Sequence, residues 1–392
     1  MLTSLNAIDR SGDFHVAPLA ARRLTVLHVI TGLEIGGSER MLQKLISVDR
    51  SDISHHVVQL RSGGEVADEL RDSGVDVTDG SLTVSAAGLR RLALMARLTA
   101  KLRPDVIQTW LYHADVVGAL LGGALRRPVV WNIRGSDHPG MRRPVVRACV
   151  ALSRFPEVVI ANSEAGRDAH LEIGYRARSW RIIPNGFDTT VFAPSDAARS
   201  SLRRELGVPP SARLIGMVAR SDPLKNHALF IAAMRKVLEA APSAYALLVG
   251  DGMTGANPML HAIQADELLR NRIFFLGPRR DVAQVTAALD VACLTSTSEG
   301  FPNVIGEAMA CGVECVVTDV GGASTIVGDA GIVVQSGDVE AFANGVLLAL
   351  GRNGSERRVV ADRARERIVD RYSLQAVAAA YAALYRSVSR AS

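Results

Sequence analysis

The sequence predicts an α/β protein made of two doubly wound, Rossmann-like domains with parallel sheets. Short apolar runs alternate with helical stretches along the chain, the pattern left by strands buried on both faces beneath crossover helices. The alternation halts at a polar, turn-rich segment, Asn185 to Pro194, and then restarts. The chain's 392 residues exceed what one ordinary core fills and suit two domains of about 150–200 residues each.

In the first half, Leu24–Ile30, His56–Leu60, Val106–Gln108, Val129–Asn132, Val158–Ala161 and Arg181–Pro184 read as strands, each short, apolar and bounded by polar or turn residues. Glu39–Ser47, Leu89–Leu102 and Glu164–Leu171 read as helices between them. In the second half the strands are Leu214–Val218, Tyr245–Gly250, Ile273–Leu276, Val291–Leu294, Cys315–Thr318 and Ile332–Val334. Asn303–Cys311 reads as a helix closed by Gly312, and Ser373 caps a last helix, Leu374–Val388. The expected division is a loosely ordered leader (1–23), a first domain (24–190), a second domain (191–372) and a terminal helical segment (373–392).

Composition excludes several classes. The longest apolar run, Val116–Leu125, is too short to span a bilayer, and residues 1–23 have no apolar core of a signal peptide. Cys149, Cys293, Cys311 and Cys315 have neither disulfide-framework nor complete metal-site spacing, and read as buried thiols of a reducing cytoplasm. The net charge of +5 is modest but uneven: seven arginines between Arg126 and Arg154 face one acid, Asp137. On Leu89–Arg103, a stripe of Leu89, Leu92, Met95, Leu98 and Leu102 lies beside Arg90, Arg91, Arg97 and Lys101. Such a helix either packs its stripe on its own sheet or lies on an anionic membrane surface. Nucleic acid is not expected, since the basic segments lack interleaved aromatics.

The densest motif runs from Ser296 to Gly312. Glu299 and Glu307, separated by seven residues, flank a Gly300-Phe301-Pro302-Asn303-Val304 turn into a helix. Glu299 falls after a strand, where open α/β sheets bind ligands. The start of the Asn303 helix offers free amides and a positive dipole to a diphosphate. Hydroxyl acceptors beside phosphate donors suit a sugar nucleotide. The segment resembles the Glu-x7-Glu signature of retaining glycosyltransferases, in particular glycosyltransferase family 4, whose GT-B fold sets two Rossmann-like domains across a cleft with a last helix crossing back to the first.

Other segments match that family. Arg220, directly after a strand, and Lys225 in Arg220-Ser221-Asp222-Pro223-Leu224-Lys225 put two cations at a sheet edge; the resemblance gives them the donor diphosphate. The Gly36-Gly37 loop resembles the family's glycine loop, facing donor and acceptor across the cleft, and is not a dinucleotide fingerprint. Pro278 and Arg279 resemble the loop whose backbone meets the nucleotide base. Arg134 stands where many family members carry a cleft histidine, and His113 is the other candidate there. Asn162–Gly166 and Pro184–Asp188 match loops shaping the acceptor side. Glu314 replaces a usual proline and puts a charge beside a buried strand.

The resulting expectation is a retaining, metal-independent hexosyltransferase of surface polysaccharide synthesis. It uses a nucleotide diphosphate sugar, on family grounds a UDP-hexose, and a glycan or polyprenyl-diphosphate-linked acceptor. It needs no cofactor and works in the cytoplasm or at the inner membrane face. Two alternatives stand beside it: a sugar-nucleotide epimerase on the same fold, and a non-catalytic sugar-nucleotide-binding partner in a polysaccharide assembly complex.

Overall fold

Thirteen strands form two separate, wholly parallel sheets in the computed structural model, which describes residues 23–48, 52–81, 86–135 and 142–390. The leader through residue 22 and the segment holding Ser136 and Asp137 lie outside the described residues. The first sheet holds β1 (Leu24–Ile30), β2 (Ile53–Gln59), β3 (Asp76–Asp79), β4 (Val106–Trp110), β5 (Val129–Ile133), β6 (Val158–Ala161) and β7 (Trp180–Ile182). Its order is β3-β2-β1-β4-β5-β6-β7. The second holds β8 (Arg213–Val218), β9 (Ala244–Val249), β10 (Ile273–Gly277), β11 (Val291–Leu294), β12 (Glu314–Thr318) and β13 (Ile332–Val334), in the order β10-β9-β8-β11-β12-β13. Both orders reverse direction once, between β1 and β4 and between β8 and β11. A crevice opens beyond the carboxyl ends of strands at such a reversal.

Every strand expected from the sequence is present, with ends shifted by up to three residues. One was missed. β3 reads Asp-Val-Thr-Asp, carries an acid at each end and sits at the sheet edge, half-exposed. Its order comes from backbone pairing with β2, in register His56 to Asp76, and not from an apolar run. An edge strand needs only one neighbour, so its side chains need not announce it.

The chain's last helix, Leu374–Arg390, leaves the second domain and completes the core of the first. Tyr381 and Tyr385 are fully buried there. Tyr381 stacks on Trp110 at 6.4 Å and accepts a 3.0 Å hydrogen bond from Asn132 Nδ2, while the Tyr385 hydroxyl donates to Gln108. Ser373 Oγ accepts from the Ala376 amide at 3.3 Å, the cap the sequence implied. Glu314, 6% exposed, finds its partner in Arg352, whose Nε lies 3.0 Å from both carboxylate oxygens. All four cysteines are buried and free.

The basic helix, Ala86–Leu102, buries a narrower stripe than its sequence implies. Met95 and Thr99 are buried, with Leu92 and Leu102 half-buried against the first sheet. Leu98 is 45% exposed and Leu94 54%. Positions 92, 95, 99 and 102 centre the buried stripe; 98, three residues after Met95 and four before Leu102, lies at its edge, and Leu98 faces outward beside the arginines. Among the described residues no helix is long and apolar enough to cross a membrane.

β1 also carries a buried histidine, His28. Its Nδ1 accepts from Trp110 Nε1 at 3.3 Å and its Nε2 lies 2.9 Å from His55 Nδ1. Burial, then the nearby His55 and His56, hold its pKa well below 6.5. Protonation would remove the acceptor that Trp110 uses. The unfolded chain therefore takes up this proton first as pH falls, so the His28 contribution is full above about pH 6.5 and is lost progressively below it. Urea midpoints from pH 7.5 to 5 should fall less steeply for His28→Gln than for wild type; parallel slopes would refute the assignment.

Candidate active site

The loops after β8 and β11 meet at the reversal point of the second sheet. Beyond β8, Arg220 leads into a single 3-10 turn, Pro223–Lys225, whose start Asp222 caps by accepting from the Leu224 amide at 2.9 Å. Beyond β11, Thr295 Oγ1 donates to the carbonyls of Lys225 (3.0 Å) and Asn226 (3.1 Å), and the Thr297 amide donates to that of Leu224 (2.8 Å). These bonds stitch the two loops into one platform. On it Lys225 Nζ lies 2.6 Å from Glu299 Oε1, and Ser296 Oγ donates to the same oxygen at 2.6 Å. Both partners are largely buried, at 21% and 10% side-chain exposure. Arg220 differs. Its guanidinium is 68% exposed and holds Asp222 at 2.7 Å, tethered beside the platform with its other face open.

Gly300, Phe301 and Pro302 lead from Glu299 into the helix Asn303–Ala310. No side chain caps this helix, so its first turn keeps amides, at Asn303 and Val304, that an anion can take up. Its far end closes as the sequence suggests: Gly312 is left-handed (φ 70°), and the Val313 amide reaches the Ala308 carbonyl at 3.0 Å. Phe301 is buried and stacks on Phe187 at 6.1 Å, so only its backbone is available to a ligand. Glu307 is turned toward the first domain, where Lys44 Nζ lies 3.9 Å away. Burial raises its pKa and Lys44 opposes the rise.

The facing wall is the reversal point of the first sheet. Gly36 and Gly37 follow β1 and open the helix Gly37–Val48; a side chain at Gly37 would meet nothing within 4 Å. His113 stands exposed in the first turn of the helix after β4, with no hydrogen bond among the described residues. Arg134, after β5, is engaged on three sides. Its guanidinium lies over the Trp110 ring at 5.6 Å, donates to the Tyr381 hydroxyl at 3.1 Å and donates to Asn185 Oδ1. Asn185 Nδ2 in turn donates to Asn303 Oδ1 at 2.5 Å. A hydrogen-bonded chain thus runs from the first domain to the head of the helix that follows Glu299.

Pro278 and Arg279 lie at the end of β10, which β9 and β8 separate from β11. The Arg279 side chain is spent on Asp281 (2.7 Å) and Glu205 (3.2 Å), which leaves backbone contacts to a ligand. Among the described residues no group of three or more His, Cys, Asp and Glu converges to hold a metal ion. The sequence reading did not single out Lys44, Ser296 or Gly321. Ser296 opens the motif but was given no role of its own, and Gly321-Gly322 after β12 is a visible signal. Lys44 carried none.

Comparison with known proteins agrees with this geometry. The profile described as Glycosyltransferase Family 4 matches residues 35–191, and that described as Glycosyl transferases group 1 matches residues 212–352. The UDP-Gal:alpha-D-GlcNAc-diphosphoundecaprenol alpha-1,3-galactosyltransferase of Escherichia coli is 25% identical over 270 residues, 66% of this chain and 70% of that protein. A D-inositol 3-phosphate glycosyltransferase of Segniliparus rotundus is 32% identical, over 59% of this chain and 52% of its own length. The chain thus spans about half the length of that relative. Among solved structures, the Anabaena protein HepE in complex with UDP superposes with a TM-score of 0.82 at 28% identity, covering 93% of this chain and all of that one. HepE in complex with UDP-glucose gives 0.77 at 27% identity, over 93% and 100%. The fold is GT-B.

The Glu299 loop rests on Gly321, which has φ of 55° and where a Cβ would sit 1.7 Å from the Glu299 carbonyl oxygen. Gly321→Ala should therefore cost about 1–3 kcal/mol in urea unfolding, the strain of a non-glycine residue there together with displacement of the loop. A cost under about 0.5 kcal/mol, the ordinary range for a surface change, would show that the loop does not depend on this approach.

Proposed function

This chain belongs to glycosyltransferase family 4, and we propose that it transfers a hexosyl unit from a UDP-hexose to a polyprenyl-diphosphate-linked glycan, with retention, in surface polysaccharide synthesis. The observation that carries the reading is the Lys225–Glu299 pair at 2.6 Å beside an uncapped helix start. Cation, carboxylate and free amides converge there, as a diphosphate joined to a sugar requires. HepE, which binds UDP and UDP-glucose, and the E. coli galactosyltransferase, whose name gives a UDP-galactose donor and a diphosphoundecaprenol acceptor, support this donor and acceptor.

In this reading Lys225 and Arg220 hold the diphosphate, Arg220 exchanging Asp222 for phosphate. Glu299 and the Gly300–Val304 backbone orient the sugar hydroxyls, Glu307 binds ribose, and the backbone at Pro278 and Arg279 meets the base. Gly36 and Gly37 close over the donor from the first domain. The acceptor oxygen bonds to the anomeric carbon on the face the diphosphate leaves. The C1–O bond breaks with its electron pair on UDP, and the hydroxyl proton passes to the departing phosphate oxygen. Lys225 and Arg220 stabilise the charge that develops there, so the reaction needs no metal. Arg134 and His113 face the acceptor.

The exposed Leu94 and Leu98, flanked by the exposed Arg90, Arg91, Arg97 and Lys101, form the surface that would rest on an anionic membrane at its inner face. This would bring the cleft to a lipid-linked acceptor.

Donor hydrolysis and transfer across UDP-, GDP- and ADP-hexoses test the reading. Glu299→Ala and Lys225→Met should each lower kcat by about 100-fold or more, with EDTA without effect. Dependence on added metal, or epimerised donor as product, would overturn it; binding of a donor without turnover in the presence of polyprenyl-diphosphate acceptors would leave a non-catalytic sugar-nucleotide-binding protein. For the surface, a Leu94→Gln, Leu98→Gln double variant should lose flotation with anionic vesicles while keeping hydrolysis. Equal flotation would remove that face from membrane contact.

A further inference from the structure

The second domain has a cavity of about 480 Å³ at the sheet edge opposite the active site, where β8, β11 and β12 begin. Its centre is Asp290, 6% exposed in its side chain. Arg199 Nη2 reaches it at 2.9 Å, Arg203 Nη2 at 2.7 Å, Arg213 Nη1 at 3.1 Å and the Leu214 amide at 2.9 Å. Four donors occupy its two oxygens, so one carboxylate answers three guanidiniums.

The other acids do not restore the balance. Glu314 lines the cavity but belongs to Arg352, and Asp196 is exposed at the rim. Arg357 also lines it, half-buried, and makes no ion pair among the described residues; its Nη1 donates to the Arg352 carbonyl at 3.1 Å. Arg358 adds a further cation at the mouth. Burial and the positive charge of Arg213 and Arg199 pull the Arg357 pKa down, against the attraction of Asp290. The fold therefore gathers more guanidinium groups around this cavity than it neutralises. Among the described residues Arg213 and Arg357 each spend one side-chain hydrogen bond on the protein and keep planar N–H donors for a ligand.

We propose that this cavity is an anion site that binds a phosphate dianion, as inorganic phosphate or a phosphate monoester, through Arg213 and Arg357. Guanidinium pairs suit this class because their parallel donors match two oxygens of one phosphate. The site stands apart from the donor cleft and does not rest on the transfer reaction.

Equilibrium dialysis and thermal unfolding with inorganic phosphate, against chloride at matched ionic strength, test it. Wild type and Arg220→Gln, altered only in the donor cleft, should gain Tm in phosphate alike. Arg357→Gln relieves a repulsion, so it should start from a higher Tm without phosphate, gain nothing from it and bind it at least about 10-fold more weakly, the loss of one charge-assisted contact. Arg213→Gln should lose the same binding and serves as the second variant if Arg357→Gln does not fold. Undiminished phosphate binding in the folded variants, an equal Tm gain from chloride, or loss of the gain in Arg220→Gln alone would overturn the proposal. Flotation with phosphatidic-acid vesicles then distinguishes the source: loss in Arg357→Gln assigns the phosphate to a lipid headgroup, and unchanged flotation assigns it to a soluble ester.

Discussion

The active-site geometry depends on one crossing. The chain passes between the two domains twice, at Phe187 and at Ser373, and the two passages are bonded to each other. The Phe187 amide donates to the Tyr372 carbonyl at 2.8 Å and the Leu374 amide to the Phe187 carbonyl at 2.9 Å. Phe187, 1% exposed, packs its ring on Gly306, where a Cβ would lie 2.1 Å from it, and against Phe301. The crossing is thereby fastened to the same helix that presents its amino end to the cleft. Changing the angle between the domains moves the donor platform with it, because close-packed interiors transmit displacement.

Polar contacts across the cleft refine that alignment. The chain from Tyr381 through Arg134 and Asn185 to Asn303 joins the terminal helix, the first sheet, the linker and the donor helix. Lys44 approaches Glu307 from the first domain at 3.9 Å. Both are contacts between groups that the chain places far apart, and both would change first as the cleft opens. Arg134 therefore does structural work at the cleft. Its engagement with Trp110 and Tyr381 explains how a large cation is tolerated there.

The platform itself combines a largely buried cation with an exposed one. Lys225 is held by Glu299 and by a turn stitched to the neighbouring loop, whereas Arg220 is exposed and paired only locally with Asp222. Fixed charge aimed at the place where negative charge develops needs no reorganisation during reaction, which is the larger electrostatic advantage. An exposed arginine beside it adds positive potential that reaches into solvent. The opposite edge of the same sheet collects arginines too, around Asp290, but there they secure the starts of β8 and β11 rather than their ends.

By itself the sequence determined the two-sheet architecture, because strands buried on both faces must be written as apolar runs, and Leu24–Ile30 and Val291–Leu294 could be placed to the residue. It also pointed to the residues of the platform, since Glu299, Gly300–Val304, Arg220 and Lys225 lie in short local segments at a strand end and a helix start. β3 escaped because edge pairing is backbone chemistry. Whether Leu98 packs inward was left open, because a stripe of leucines does not say which of them meets the sheet. Only the tertiary structure decided that Glu299 takes Lys225, that Glu307 turns to Lys44, that Arg134 reaches Asn303 through Asn185, and that Glu314 is answered by Arg352. The reason is physical: local sequence fixes the period and the ends of elements, while a partner across a cleft is set by how distant elements pack, and no local pattern encodes that distance.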